Sequence, residues 1–244
     1  MIFGTPTIVT NGLVLYLDAG SRMSYPGSGT TWKDLSGTSV TGSLTGSTLP
    51  TFSSDNLGSF SFNGSTTRVD VQASSVYKPQ FPLSVSVTFK ITANITTATP
   101  LIKTDNTPTF YHSGVDITPS TTVPMTLSIT YGNNTANNPT GRRTYGTAAI
   151  LTSGSWYTVT AVLSTNLTCT TYVNGQLVDS PYTAGLATTM VYAGSPASIG
   201  YRFDSGGSNA VNGNIASAQI YNRALSAQEV AQNYNAIKAR YGLT

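Results

Sequence analysis

The sequence of 244 residues has few charged side chains. Asp, Glu, Lys and Arg make up 9% of it, against roughly 25% in a typical soluble domain. The twelve basic and nine acidic residues are dispersed, and Arg142-Arg143 is the only adjacent basic pair. Nucleic acids are bound mainly through clustered Lys and Arg contacts to phosphates, so we predict no nucleic-acid partner.

Catalytic groups are equally scarce. The sequence has one glutamate, Glu229, and dispersed aspartates with no acid-x-acid spacing on a predicted strand. Glycoside hydrolysis normally needs two carboxylates that flank the scissile bond. The single histidine, His112, and the single cysteine, Cys169, are too few for a zinc site and lack the context of a nucleophile–histidine pair. We predict that the protein is not an enzyme, and a polysaccharide hydrolase is the less favoured alternative.

Signals for export and membrane insertion are also missing from the sequence. One cysteine cannot form an intramolecular disulfide, and Cys169 is best interpreted as a buried free thiol. The N-terminal segment has no basic start and no apolar stretch of signal length, and no later run is long enough to span a membrane. We therefore expect synthesis in a cytoplasm without a signal peptide, and no membrane partner.

Alternation of apolar and polar residues is the main structural signal. The segment "LSVSVTFKIT" (83–92) alternates strictly, and so does "MTLSITY" (125–131). This period of two predicts strands with one buried and one wet face, as in antiparallel sheets. Asn174-Gly175 predicts a two-residue hairpin turn, because both residues tolerate positive φ. These patterns predict an all-β fold, a two-sheet antiparallel jelly-roll-like sandwich in a single domain of residues 12–244, after an N-terminal arm of residues 1–11.

The last part of the sequence changes to a helical pattern. Ser226 and Glu229 have the spacing of a capping box, in which each side chain satisfies a backbone amide of the other residue. An apolar stripe follows at Val230, Tyr234, Ile237 and Tyr241, and Gly242 comes next as a stop. A helix of this length is marginal alone in water, so the helix predicted at about 226–241 must pack against the sandwich.

Several segments resemble those of one protein superfamily, in order and spacing. They are "GLVLYLDAG", "WKDLSG", "FSFNG", "SWYTVTAVLS", "CTTYVNGQLV" and "GNIASAQIYNRALSAQEVAQNY". The chain resembles the laminin-G-like branch of the concanavalin A-like lectin/glucanase superfamily. That resemblance implies the same sandwich fold with a short helix after the last strand.

The two ends of the chain resemble a narrower group within this branch. "YLDAGSRMSYPGSGTTWKDLSG" and "NYNAIKARYGL" are similar to stand-alone versions that tailed phages encode as virion proteins. The resemblance implies a structural or decoration protein on the exterior of the capsid or tail, made in the host cytoplasm and partnered by capsid or tail subunits. Glycan adhesion would be a secondary role of such a protein. The alternative is a carbohydrate-binding, lectin-type attachment protein, with or without the help of calcium, whose main task is to contact cell-surface glycans.

Candidate ligand-binding residues lie in or beside predicted loops. Aromatic faces and planar polar groups suit sugar recognition, and the candidates are Tyr111, His112, Arg142, Tyr145 and Tyr182. The alternative role of a tyrosine is to bury its ring and leave its hydroxyl in water, which we expect of most of the fourteen tyrosines.

Calcium is the one cofactor that the residue types allow. The segment "FDSGGSNAVNGN" contains Asp204 and Asn209 among its oxygen donors. A strong calcium loop normally gathers more than one carboxylate, so Asn and Asp are better interpreted here as turn residues. No metal site is therefore assigned, and Asp204 and Asn209 are weak candidates.

Overall fold

The computed structural model describes residues 6–92, 97–107, 112–135, 139–204 and 207–243, and only the backbone of Asp204, Gly207 and Ser208. The strands in chain order are β1 (Leu13–Asp18), β2 (Thr31–Lys33), β3 (Thr41–Thr45), β4 (Thr51–Ser53), β5 (Ser59–Asn63), β6 (Arg68–Val71), β7 (Leu83–Ile91), β8 (Ile102–Lys103), β9 (Ser113–Pro119), β10 (Leu127–Asn133), β11 (Arg142–Gly146), β12 (Trp156–Thr165), β13 (Thr168–Val173), β14 (Gln176–Val178), β15 (Tyr182–Gly185), β16 (Ala197–Ile199), β17 (Tyr201–Asp204), β18 (Gly207–Ala210) and β19 (Asn212–Tyr221). One α-helix, α1 (Ala227–Ile237), follows them, and 3₁₀ turns lie at Asp55–Leu57, Pro139–Gly141 and Lys238–Tyr241.

The strands form two large sheets. An eight-stranded sheet has the order β14-β13-β12-β7-β19-β5-β4, with β1 also paired to β19. A nine-stranded sheet has the order β15-β11-β10-β9-β8-β16-β6-β3-β2, and β17 and β18 form a separate hairpin. The predicted all-β two-sheet antiparallel sandwich is confirmed. Within the described residues, no helix has the length and apolar character needed to cross a bilayer.

The main core lies between the two sheets. Alternate residues of β7, including Val85, Val87 and Phe89, point into it. Phe60 of β5 is fully buried there, and its ring meets the rings of Tyr25 and Trp32 at centroid distances of 4.8 Å in edge-on geometry. Such aromatic contacts add to the free energy that burial of the apolar area contributes.

The prediction that β7 has one wet face is wrong. Ser84, Ser86 and Thr88 are all buried, although they point away from the core. The chain after β19 crosses over them, and the Ser84 hydroxyl accepts a hydrogen bond from the Leu225 amide at 3.0 Å. The Thr88 hydroxyl is paired with the hydroxyl of Thr158 on β12 at 3.1 Å. The alternation in β7 therefore reflects two buried faces. One face is apolar, and the other is polar with its hydroxyl groups hydrogen-bonded.

The helix begins and packs as its sequence predicts. The Ser226 hydroxyl accepts from the Glu229 amide at 3.2 Å, and the Glu229 carboxylate accepts from the Ser226 amide at 2.9 Å. The stripe residues of the helix face are buried, and they are Val230, Tyr234, Ile237 and Tyr241. The α-helix ends at Ile237, its last turn is a 3₁₀ turn, and Gly242 follows with a φ of +62°.

A buried hydrogen-bonded cluster joins both ends of the chain to the last strand. The Asn233 side chain accepts from the Val9 amide at 2.8 Å and donates to the Tyr221 hydroxyl at 2.9 Å. That hydroxyl in turn donates to the Val9 carbonyl at 3.0 Å. The Arg240 guanidinium adds a two-pronged ion pair with Asp18 at 2.8 and 2.9 Å. The helix is thus held by specific polar contacts as well as by its apolar face.

Two turns of the fold contain glycines with positive φ. Asn174 and Gly175 have φ values of 50° and 74°, so the predicted hairpin turn is confirmed. Gly200 has a φ of +72° and separates β16 from β17. β17 pairs with β18, so Asp204 and Asn209, interpreted from the sequence as turn residues, lie on strands. A Cβ atom at Gly200 would lie 2.5 Å from the Phe62 ring, so only glycine fits this turn without a shift.

Replacing Asn233 with leucine is expected to destabilise the fold. The substitution leaves the buried Val9 amide and Tyr221 hydroxyl without their amide partner, which costs about 1–3 kcal/mol of the free energy of unfolding. Urea denaturation followed by circular dichroism measures it. Asn235→Leu is the matched control, because Asn235 lies exposed on the same helix. Equal stability of the two variants would contradict a structural role for the cluster.

Candidate functional site

Antiparallel register places a row of polar residues across the nine-stranded sheet. Residues directly opposite each other in neighbouring strands share a face. The row is Thr144, Thr130, Asp116, Lys103, Ser198 and Asp70. The residues next to them along the strands, such as Ile129 and Ile117, belong to the core. The row therefore lies on the side of the sheet away from the core, which we call the outer face.

His112 and Arg142 lie at one end of this face. Arg142 precedes Thr144 by two residues on β11 and stands opposite Gly132 of β10. Its Nη1 atom is 3.2 Å from Nε2 of His112. A Cβ atom on Gly132 would be 2.4 Å from the His112 Cβ atom, so the missing side chain makes room for the histidine. The sheet thus holds the imidazole and the guanidinium side by side.

The environment keeps His112 uncharged. The pKa of its imidazole is lowered to about 4, mainly by burial and also by the positive charges of Lys103, Arg142 and Arg202, while Asp116 acts in the opposite direction. Because the Arg142 guanidinium can only donate, Nε2 of the neutral ring accepts its hydrogen bond. The ring proton is therefore on Nδ1.

Lys103 and Asp116 lie opposite each other in the middle of the outer face. Both are buried, at 5% and 8% exposure. Burial lowers the pKa of the Lys103 ammonium, and the Asp116 carboxylate acts in the opposite direction. The Asp116 carboxylate accepts from the Thr118 hydroxyl at 2.8 Å. A lysine and an aspartate thus share a poorly hydrated environment, where electrostatic interactions are stronger than in water.

The β17–β18 hairpin borders the other side of the outer face. The Arg68 guanidinium stacks on the rings of Tyr201 and Phe203, at 5.1 and 5.0 Å from their centroids. The Phe203 amide donates to the Asn106 side-chain oxygen at 3.1 Å, just beyond β8. Arg68 also forms an ion pair with Asp70 at 3.0 Å. These contacts fix the hairpin against the sheet.

The structure brings two of the five predicted ligand residues together and separates two others from them. His112 and Arg142 are neighbours. Tyr145 is 3% exposed and points into the core, because it is one residue out of phase with Thr144. Tyr182 is 49% exposed at the edge strand β15, where the Arg143 guanidinium lies 4.7 Å from its ring. Tyr111 lies outside the described residues.

The weak calcium candidates lie on the hairpin. Asn209 of β18 is opposite Arg202 of β17, and the Asp204 side chain is outside the described part of the structure. In the described ranges, no three His, Cys, Asp or Glu side chains form a group that could hold a metal ion. The assignment of no metal site, with Asp204 and Asn209 as weak candidates for calcium, stays untested.

Sequence reasoning missed Lys103 and Asp116. A signal for Asp116 was present, because "GVDITP" alternates Val115 and Ile117 with Asp116 and Thr118. Such alternation places the aspartate on the face away from the core. Lys103 lies on a strand of two residues, too short to show any period. Its place on the face comes from pairing with β9 and β16, which are distant in sequence from each other.

Solved structures similar to this chain are mostly binding domains. The binding domain of Paraclostridial mosquitocidal protein 1 superposes with a TM-score of 0.67 and 15% identity over 96% of this chain and 56% of its own. The binding domain of botulinum neurotoxin DC in complex with SialylT has a TM-score of 0.64 and 16% sequence identity, and the match covers 93% of this chain and 52% of that domain. Trypanosoma rangeli sialidase has a TM-score of 0.58 and 15% identity, and the match covers 91% of this chain and 33% of the sialidase. This chain thus spans about half of the toxin domains and a third of the sialidase. No curated protein matches by sequence.

The fold and the sequence together define the class of protein. Two antiparallel sheets with a polar outer face and a helix after the last strand make this a lectin-like β-sandwich. A laminin-G family model of the concanavalin A-like lectin/glucanases superfamily matches residues 62–231. The chain belongs to this superfamily, and the resemblance found in its motifs is confirmed.

The single histidine offers a direct test of the outer-face environment. We expect the imidazole proton signals in NMR spectra to titrate with a midpoint near pH 4, because burial among positive groups disfavours the charged ring. The ordinary midpoint of a histidine is about 6.5. A midpoint near that value would contradict the buried setting of His112.

The same shift predicts how stability depends on pH. The folded pKa is the lower one, so below about pH 6.5 the unfolded state binds a proton that the folded state does not bind. His112 therefore lowers the free energy of unfolding as the pH falls from about 6.5 to about 4. His112→Gln serves as the comparison in urea titrations, since it lacks this contribution and its stability should fall less over that range.

Proposed function

We propose that this chain is a non-enzymatic glycan-binding module whose ligand lies on the outer face of the nine-stranded sheet. The observation that carries the proposal is the concentration of polar and charged side chains there, in a chain with 9% charged residues. Lys103 and Asp116 stand opposite each other on this face, and Arg142 lies against His112 at its end.

The groups on this face suit sugar recognition. The hydroxyls of Thr130 and Thr144 are 3.1 Å apart and can each donate or accept a hydrogen bond. The Arg142 and Lys103 side chains add donors with positive charge. Membership of a lectin and glucanase superfamily supports a saccharide over other polar ligands. Two of the structural relatives are named as binding domains and one as a sialidase in complex with a sialic acid derivative, which points in the same direction.

The carboxylates of the chain favour binding over hydrolysis. Glu229 is used in the helix cap, and its hydrogen bond from Arg223 lowers its pKa to about 2, so it cannot act as a general acid near neutral pH. Asp116 and Asp70 share the outer face but are three strands apart, which is about 14 Å at the usual spacing between strands. Glycosidases of both stereochemical types hold their two carboxyl groups within about 10 Å.

A glycan array probed with the purified protein tests the proposal. We expect binding to a defined set of glycans, without release of reducing ends. Thr144→Tyr places a bulky ring on the outer face and should weaken binding about tenfold or more, which is the loss of roughly one good contact. Tyrosine is well tolerated on strands, so the variant should keep its fold.

Thr170→Tyr is the matched control. Thr170 stands opposite Val162 on the eight-stranded sheet, on the side of the molecule that carries the helix. The Thr170→Tyr variant should bind glycans as tightly as the wild type. Binding to no glycan would reject the function, and loss of binding in Thr170→Tyr but not in Thr144→Tyr would move the site to the other sheet.

The virion setting expected from the sequence is a second proposal. It is supported by the similarity of both ends of the chain to virion proteins of tailed phages, and by a surface with little charge that can bury well against protein subunits. In that setting the module lies on the exterior of the capsid or tail, with capsid or tail subunits as its partners. Glycan binding would then serve adhesion.

Purified phage particles test this setting. Quantitative mass spectrometry and immunogold labelling should find many copies on the head for a decoration protein, or a few copies at the tail tip for an attachment protein. Particles that lack the protein after density-gradient purification would reject a virion role. That result would not contradict the proposed glycan-binding function.

A further inference from the structure

An open cleft of about 510 Å³ lies where β10, β11 and β15 meet on the outer face, and we call it the edge cleft. Ser128 of β10 and Gly146 of β11 stand opposite each other in its floor. Ser128 shares the outer face with Thr130, because the two residues are two positions apart on one strand. Ligand sites in proteins have volumes of roughly 300–1,000 Å³, so the edge cleft is large enough for a small saccharide.

A bulge in β15 shapes one wall of the edge cleft. The register between β11 and β15 shifts between Thr144 and Tyr145, which leaves Thr183 as an extra residue on β15. Bulges redirect side chains in this way. The Thr183 hydroxyl donates to the Thr144 carbonyl at 3.2 Å, and a Cβ atom on Gly146 would lie 3.0 Å from Cγ2 of Thr183. The missing side chain of Gly146 therefore leaves the space that the edge cleft occupies.

The segment between β14 and β15 forms the rim. The Gly146 amide donates to the Pro181 carbonyl at 3.1 Å, which fixes this segment to the end of β11. The buried Ser180 hydroxyl donates to a main-chain carbonyl of β13 at 3.2 Å. These two bonds hold Asp179, which is exposed, at the edge cleft.

Three polar side chains of the edge cleft are open to a ligand. Thr126 and Ser128 are half-buried and Asp179 is exposed. Within the described ranges, none of these three side chains has a hydrogen-bond or ion-pair partner, and the chain is described on both sides of each. The exposed residues Ala148 and Pro181 add apolar surface. The edge cleft thus combines accessible hydroxyls, one carboxylate and small apolar patches.

The carboxylate indicates the class of ligand. An ionised carboxylate only accepts hydrogen bonds, so the ligand must bring donors to Asp179. Hydrogen bonds to a charged acceptor are roughly twice as strong as neutral ones. No Lys, Arg or His is among the described residues that line the edge cleft. An acidic ligand would therefore meet an unbalanced negative charge, whereas sugar hydroxyls can donate to both oxygens of the carboxylate.

We propose that the ligand of the outer face is a neutral saccharide, bound in the edge cleft through two neighbouring hydroxyls that donate to Asp179. The inference rests on the proposed glycan-binding function, and it adds the position on the face and the charge class of the sugar. In this arrangement Thr126 and Ser128 exchange hydrogen bonds with further sugar oxygens. The C–H groups of the sugar contact Ala148 and Pro181.

Paired glycans that differ in one acid group test the charge class. The probes are an oligogalacturonate and its carboxyl-reduced neutral form, and a sialylated oligosaccharide and its desialylated form, beside the neutral and acidic glycans of the array. We expect neutral glycans to bind and their acidic partners to bind more weakly, because Asp179 repels the acid group. Calorimetry at rising salt should show this difference narrowing, since salt screens the repulsion. Addition of EDTA should leave the affinity for the neutral form unchanged.

Asp179→Asn tests the contact itself. The variant should weaken binding of neutral glycans about tenfold, because an amide replaces a charged acceptor. Asp55→Asn is the matched control, since it removes the same charge from an exposed aspartate in the 3₁₀ turn after β4 and should have no effect. Circular dichroism checks both folds. If Asp179→Asn fails to fold, the paired glycans and the EDTA measurement on the wild type decide the question.

The outcomes separate this inference from the function on which it rests. Tighter or equal binding of the acidic glycans, or full affinity in a folded Asp179→Asn variant, overturns the neutral ligand and leaves glycan binding standing. Loss of binding in EDTA would mean that a metal ion is bound by the carboxylate, which also overturns the inference. Binding of no glycan on the array overturns both proposals.

Discussion

Antiparallel register across the nine-stranded sheet is the constraint on which the candidate site depends. Side chains alternate between the two faces of each strand, so one choice of pairing decides which of them meet. Pairing of Asp116 with Thr130 and Lys103, and of Thr130 with Thr144, assembles the outer face from four strands. A shift of one residue in β8 or β9 would turn Lys103 or Asp116 toward the core and lose the site.

The outward side of the eight-stranded sheet is covered by the chain itself. Helix α1 and the segment before it lie over the hydroxyl-bearing face of β7 and its neighbours, where Leu225 donates to Ser84. Asn233 and the ion pair of Arg240 with Asp18 hold the helix in place. One side of the sandwich is thereby closed by the helix. The other side carries the polar row of the outer face, in which Thr130, Asp116, Lys103 and Ser198 are themselves buried.

Local signals in the sequence predicted most of the fold. The period of two in 83–92, the Asn174-Gly175 turn and the Ser226 capping box each depend on residues a few positions apart, so they can be detected without the structure. The covered face of β7 and the β17–β18 hairpin could not be predicted in this way. They depend on contacts such as Ser84 with Leu225, which are 141 residues apart. His112 and Arg142 were predicted from residue type, and Tyr145 was assigned to the same surface although its phase on β11 turns it inward.

The sequence alone determined the fold class, the capped helix and the near absence of catalytic acids and bases, because composition and short-range periodicity are properties of the chain before it folds. Tertiary structure decided which of the few charged groups meet. Lys103, Asp116 and Arg142 carry no shared motif in the sequence, and they came to share one face of the sheet only through hydrogen bonding between strands. Tertiary structure also set the pKa of His112, because the burial and the nearby charges that shift it exist only once those strands have paired.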